Sequence, residues 1–182
     1  MVSASGNTHS SWPYHLRTDV DADTSFTWFY YNPNLFGVGG VFFEAWSDVV
    51  DFNDVRFAIG ADRGSPSVLF RGRTPYHTVN DIIDQTVVDT LWSDLGNELA
   101  IVQYYAEQRG DQYQLQVFLD QPDSNNMRFR FETTGQGKFD IWSSSNFGLS
   151  DMWETGPLPG TTQSAEHYVL PDRNKHMVDS WA

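Results

Sequence analysis

The stretch LAIVQYYAEQRGDQYQLQVFL, residues 99–119, decides how this chain is read. Two runs, residues 99–107 and 112–119, alternate apolar and polar side chains on either side of Arg109-Gly110-Asp111. Period-two alternation flanking a turn predicts a β-hairpin. Tyr113, Leu115, Val117 and Leu119 share one face, and Gln112, Gln114, Gln116 and Phe118 share the other. Gly110 supplies the positive φ that such a turn requires. Arg109-Gly110-Asp111 also matches the integrin-adhesion triplet, but turn chemistry alone accounts for three letters.

Outward from the hairpin the same pattern recurs. Met127-Arg128-Phe129-Arg130-Phe131 alternates, with its arginines expected outward and its apolar residues inward. Phe139-Asp140-Ile141-Trp142-Ser143 follows a Gly135-Gln136-Gly137-Lys138 turn. Upstream, residues 25–31 form an aromatic β run stopped by Asn32-Pro33-Asn34, and residues 39–46 and 55–60 form two more. Residues 68–70 and 76–79 read as short strands. Residues 81–91 carry Ile82, Ile83, Val87, Val88 and Leu91 among Thr and Val; a strand or irregular segment is expected there rather than a helix. Residues 144–160 read as loop. Eight or more short strands with no long helix predict an all-β fold, a β-sandwich of jelly-roll-like type. No internal repeat or low-complexity linker divides the chain.

Composition narrows the function. At 182 residues the chain suits one domain with a sizeable core, and 40% hydrophobic with 15% aromatic residues marks a folded protein. The net charge of −13 opposes binding to nucleic acid and to anionic membranes, so neither is expected as a partner. With no cysteine there is no disulfide or thiolate site in this sequence. No apolar run approaches the roughly 20 residues of a spanning helix, and no signal-peptide pattern opens the sequence.

At the start of the chain, Val2-Ser3-Ala4-Ser5-Gly6-Asn7 runs small and apolar residues into Gly-Asn, and Thr8-His9-Ser10-Ser11 follows. This resembles the strand-to-loop element of subtilisin-like serine proteases that ends in the oxyanion-hole asparagine. The resemblance implies that Asn7 donates its amide to a tetrahedral oxyanion. It also implies a plan: residues 1–11 belong to a catalytic core, residues 12–173 are a jelly-roll-like insertion, and residues 174–182 return to the core. Some bacterial subtilases, especially of Bacteroidetes, look alike in this respect. The return is read from Lys175-His176-Met177-Val178-Asp179-Ser180-Trp181. An insertion leaves and re-enters its host at one place, so residues 12–17 and 170–174 are expected to lie close together.

The resemblance does not bring a triad. No Gly-Thr-Ser nucleophile segment occurs, and none of His9, His15, His77, His167 and His176 has the flanks of the family's base. Asn7 is the one catalytic residue contributed, and the isolated chain is expected to hydrolyse no peptide. The implied partners are the rest of a parent protease and its peptide or protein substrate, in a secreted or cell-envelope setting.

Other candidates are weaker. Asp19, Asp21 and Asp23 place oxygens at alternate positions like the start of a calcium loop, but the glycine and bidentate glutamate of that motif do not follow. A plain acidic turn is the expectation, with no cofactor. His9 and His15 flank Trp12-Pro13-Tyr14 with no third ligand nearby, as surface-loop histidines do. Trp28, Trp46, Trp92, Trp142 and Trp153 could together make a sugar-stacking platform. Most alternate with polar residues along strands, so core packing is expected for them, and Trp153, in an apparent loop, is the one expected to be exposed. The alternative to a protease fragment is thus a free-standing β-sandwich module that binds carbohydrate or protein.

Overall fold

The computed structural model describes residues 15–20, 25–63, 68–124, 127–143, 148–153 and 175–176. Within them the predicted alternation becomes two sheets packed face to face, an all-β sandwich. Sheet A runs in the order β1 (His15–Val20), β11 (Gly137–Trp142), β3 (Val41–Asp48), β9 (Gln112–Asp120), β8 (Glu98–Arg109), β7 (Thr86–Trp92). Sheet B runs β12 (Met152–Trp153), β2 (Ser25–Phe29), β10 (Met127–Thr134), β4 (Arg56–Arg63), β5 (Leu69–Arg73). Two short strands complete sheet B: β6 (His77–Thr78) beside β4, and β13 (Lys175–His176), parallel to β2. The chain crosses between sheets at β1–β2, β2–β3, β3–β4, β6–β7, β9–β10, β10–β11 and β11–β12.

The hairpin forms as its pattern predicts, pairing Ile101 with Asp120 through to Arg109 with Gln112. Val102, Tyr104 and Ala106 then meet Leu115, Val117 and Leu119 on the inner face, all buried. Sheet B answers with Phe57, Ile59, Ala61, Phe129 and Phe131. Phe43 is where the sheets lock together: it stacks on Phe29 at 4.0 Å and meets Phe131 edge-on at 5.1 Å. Truncating a fully buried Phe such as Phe131 removes its transfer energy and leaves a cavity, at about 3–5 kcal/mol.

Two local expectations need correcting. Of residues 81–91, the expected strand forms from Thr86 onward as β7, but Asp81 and Ile82 end α2 (Val79–Ile82), a single helical turn. A capping box starts that turn, Thr78 bonding the N3 amide while Asp81 accepts from the Thr78 N–H at 2.7 Å, which outweighs the local β-propensity. In the segment read as loop, Met152–Trp153 pairs with β2 opposite Phe29 and Trp28. Residues 170–174 lie outside the described residues, as does all of 12–17 before His15, so their approach is not described.

Arg130 faces outward as the alternation predicts. It is nonetheless fully buried, as are Asp62 and Glu132 beside it. Its guanidinium bonds both carboxylates, and its plane lies 4.6 Å over the Phe70 ring. Trp28 Nε1 donates to Asp62 at 2.8 Å, while Arg73 Nη1 and the Tyr76 hydroxyl reach Glu132 at 3.0 and 3.1 Å. Burial pushes the Asp62 carboxyl up, with Arg130 opposing. Burial also works to discharge Arg130, but Asp62 and Glu132 outweigh it and raise its pKa from the ordinary value. The outer face of sheet B is therefore a second buried layer, polar and ionic. Gly60 is required beneath it: a Cβ there would stand 2.6 Å from Arg130 Nε.

Candidate functional site

The outer face of sheet A has the opposite character. Strand alternation sends Phe42, Glu44 and Trp46 outward from β3, while Val41, Phe43 and Ala45 fill the core. The same parity carries His15 and Arg17 on β1, Asp140 and Trp142 on β11, and Gln114 and Gln116 on β9. Register then aligns them in rows across the strands. His15, Trp142, Glu44 and Gln116 form one row; Arg17, Asp140, Trp46 and Gln114 form the next. Trp142 and Trp46 are thus diagonal neighbours, about 7 Å apart by sheet geometry.

Trp142 is 42% exposed and Trp46 half-buried. Together they line a groove of about 560 Å³. Its polar lining comes from Arg17, Lys138 and Gln112 and from the carboxylates of Asp48, Asp51 and Asp140. Asp51 is delivered by α1 (Val49–Phe52), the single turn after β3, which Phe52 pins into the core. At the base, Ser47 donates to the Lys138 carbonyl, tying β3 to β11.

The side chains around the groove are held in place. Glu44 Oε1 accepts from Gln114 at 2.8 Å and from Gln116 at 3.0 Å, and Glu44 Oε2 accepts from Trp46 Nε1 at 3.3 Å. Asp140 meets His15 Nε2 at 2.7 Å and Arg17 at 3.7 Å. The His15 ring stacks on Trp142 with centroids 4.2 Å apart and planes 22° from parallel. One hub carboxylate therefore orients an indole and two amides, and a second carboxylate orients an imidazole against the other indole. Such fixing removes the entropy that free side chains would lose on binding a ligand. Two indoles and a fringe of fixed donors and acceptors can hold a flat, hydroxyl-bearing molecule; no nucleophile–base pair faces the groove among the described residues.

The sequence-derived candidates fare unevenly. Asn7, Asp21, Asp23 and His9 lie outside the described residues, and Asp19 is described only as backbone in β1, opposite Lys138. Among the described residues no group of three or more His, Asp or Glu is placed to hold a metal ion. His15 is no surface-loop residue: it starts β1 and stacks in the site. Of the tryptophans expected in the core, only Trp28 is fully buried, and it lies under the ionic layer of sheet B. Trp46, Trp92 and Trp142 face outward from sheet A, Trp92 at 51% exposure. Trp153 is a strand residue whose side chain is not described. The signal for Trp46 and Trp142 was present: each has the opposite strand parity to its Phe and Ile neighbours, Phe43 on β3 and Phe139 and Ile141 on β11. The His77–Asp89 pair, 2.7 Å apart, sits beside buried Tyr104 at the core margin. Comparison with protein-family models, curated protein sequences and solved structures finds no match.

Proposed function

We propose that this sandwich is a glycan-binding module whose ligand surface is the outer face of sheet A. The observation that supports it is the diagonal Trp46–Trp142 pair, set on an open sheet face among oriented hydrogen-bonding side chains. A pyranose ring offers C–H faces that pack on indoles and a rim of hydroxyls that need donors and acceptors. Both are supplied side by side here. Three groove carboxylates against two cations, on a chain of net charge −13, favour a neutral polysaccharide and repel polyanionic ones. Affinity electrophoresis in gels containing glucans, xylan, mannan, alginate or heparin tests the reading. At least one neutral polymer should retard the protein, alginate and heparin should not, and Trp46→Ala with Trp142→Ala should abolish the retardation. A chain that ignores every glycan but holds a protein partner would favour a protein-docking role instead.

The resemblance of residues 2–7 supports a compatible proposal about parentage: the module sits within a subtilisin-like endopeptidase, after its oxyanion asparagine. A longer coding sequence should then bear Asp and His motifs before this segment and a Ser motif after it. In that parent, Asn7→Ala should lower kcat by about 10²–10³, the established cost of removing this donor from subtilisin itself, with little change in KM or melting temperature. An unchanged kcat would make Asn7 an ordinary loop residue.

A further inference from the structure

Phe36 is the least comfortable residue in the described chain. It adopts φ +49°, a left-handed conformation that bulky residues seldom take, and it is 68% exposed. A glycine or asparagine there would relieve both penalties. Nothing about the loop is loose: Leu35 is fully buried, and Asn32 and Gly40 exchange backbone hydrogen bonds of 2.8 and 2.9 Å. The backbone amides of Val38 and Gly39 close back on the Leu35 carbonyl at 3.0 and 2.9 Å, and Asn32 Nδ2 donates to the Leu149 carbonyl at 2.7 Å. Gly40 has no room for a side chain, because a Cβ would meet the Leu119 carbonyl at 2.4 Å. A rigid loop therefore holds an aromatic ring out at a fixed place.

That place lies on the same outer face of sheet A as the groove, toward the other end of β3. The Phe36 ring leans on Phe42 at 5.6 Å and Phe118 at 5.8 Å, which are direct cross-strand partners on the outer face of sheet A. Phe42, Glu44 and Trp46 alternate along β3, so Phe42 stands four residues, about 14 Å, from Trp46. Strained, exposed residues that their surroundings over-determine gather at ligand sites. Resting on the glycan reading of the groove, we infer that Phe36 is a further sugar-stacking surface, and that the ligand is a chain longer than a disaccharide, running along β3 from the tryptophan pair toward the β2–β3 loop.

The test is calorimetric titration of cellobiose through cellohexaose, and of the matching xylo-oligosaccharides, into the wild type and into Phe36→Gly and Phe36→Asn. In the wild type, affinity for one series should climb about tenfold from the disaccharide to the hexasaccharide, the size of one added aromatic contact. Both variants should keep the disaccharide affinity, lose most of the climb, and melt no lower than the wild type because the strain at position 36 is gone. A variant that keeps the climb overturns the role of Phe36 alone. So does one that melts lower and binds every length more weakly, since Phe36 would then be a staple over Phe42 and Phe118. If neither series binds the wild type and no neutral polysaccharide retards it in the gel, the glycan reading fails first and the inference with it.

Discussion

Strands β9 and β10 carry nearly the same pattern, yet their outward side chains have opposite fates. On β9, Gln112 and Gln116 rise from sheet A into or beside an open groove, with Gln114 buried between them. On β10, Arg130 and Glu132 rise from sheet B into a sealed layer where both are fully buried. Period-two alternation reports which side of a sheet a residue takes; it does not report whether that side meets water. The two outer faces also differ in what their hubs do. Glu44 gathers two amides and an indole where solvent can reach, and Arg130 gathers two carboxylates where it cannot.

The largest effect should come from breaking the closed hub. Arg130→Ala leaves Asp62 and Glu132 buried with their main partner gone, a loss of about 3–5 kcal/mol in denaturant unfolding. Glu44→Ala removes an equally connected hub from the open face, where water replaces the lost acceptor, and should cost about 1 kcal/mol. Similar losses for the two variants would mean that the two faces are equally wet or equally dry. On the rim of the closed layer, Arg73 is 34% exposed at its side chain. Arg73→Ala should fall between them, at about 1–2 kcal/mol, because Glu132 keeps Arg130 and Tyr76.

The smallest effect concerns Tyr104, whose hydroxyl bonds Thr74 at 2.8 Å inside the core. Burial pushes its pKa well above the ordinary 10. An unfolded tyrosine sheds its proton near pH 10 while the folded one keeps it, so the folded state binds more protons there. Stability from this group is complete below pH 10 and declines as pH rises beyond it. Tyr104→Phe should cost about 1 kcal/mol at neutral pH, and the gap to the wild type should narrow above pH 10. A constant gap from pH 8 to 11 would show that Tyr104 ionises freely in the folded state.

Much of the sandwich was legible because its long strands obey one rule. Residues 99–119, 41–46 and 127–131 each alternate for several residues, enough for period two to stand out. Met152–Trp153 and Lys175–His176 have two residues apiece, too few for any period, and they pair only because β2 offers an edge. The turn at Val79–Ile82 rests on a cap, Thr78 with Asp81, that weighed less than the surrounding β-formers. At the site, reading tryptophans that alternate with polar residues as core hid Trp46 and Trp142, although their parity against Phe43 and Ile141 placed them outside. Phe36 could not be found from sequence, since its exposure and its φ are properties of the folded loop. Conversely Asn7, the residue that the sequence singled out, lies outside the described residues.

The account rests most heavily on the open face of sheet A being the ligand surface and the closed face of sheet B being scaffold. Amide chemical-shift mapping with the oligosaccharide that binds tightest tests this directly, with Trp46→Ala/Trp142→Ala as the control. Shifts should concentrate on β1, β11, β3 and β9, include the indole N–H of Trp46 and Trp142, spare Trp28, and vanish in the double variant. Shifts centred on β4, β10 and Trp28, or a double variant that binds as the wild type does, would contradict it.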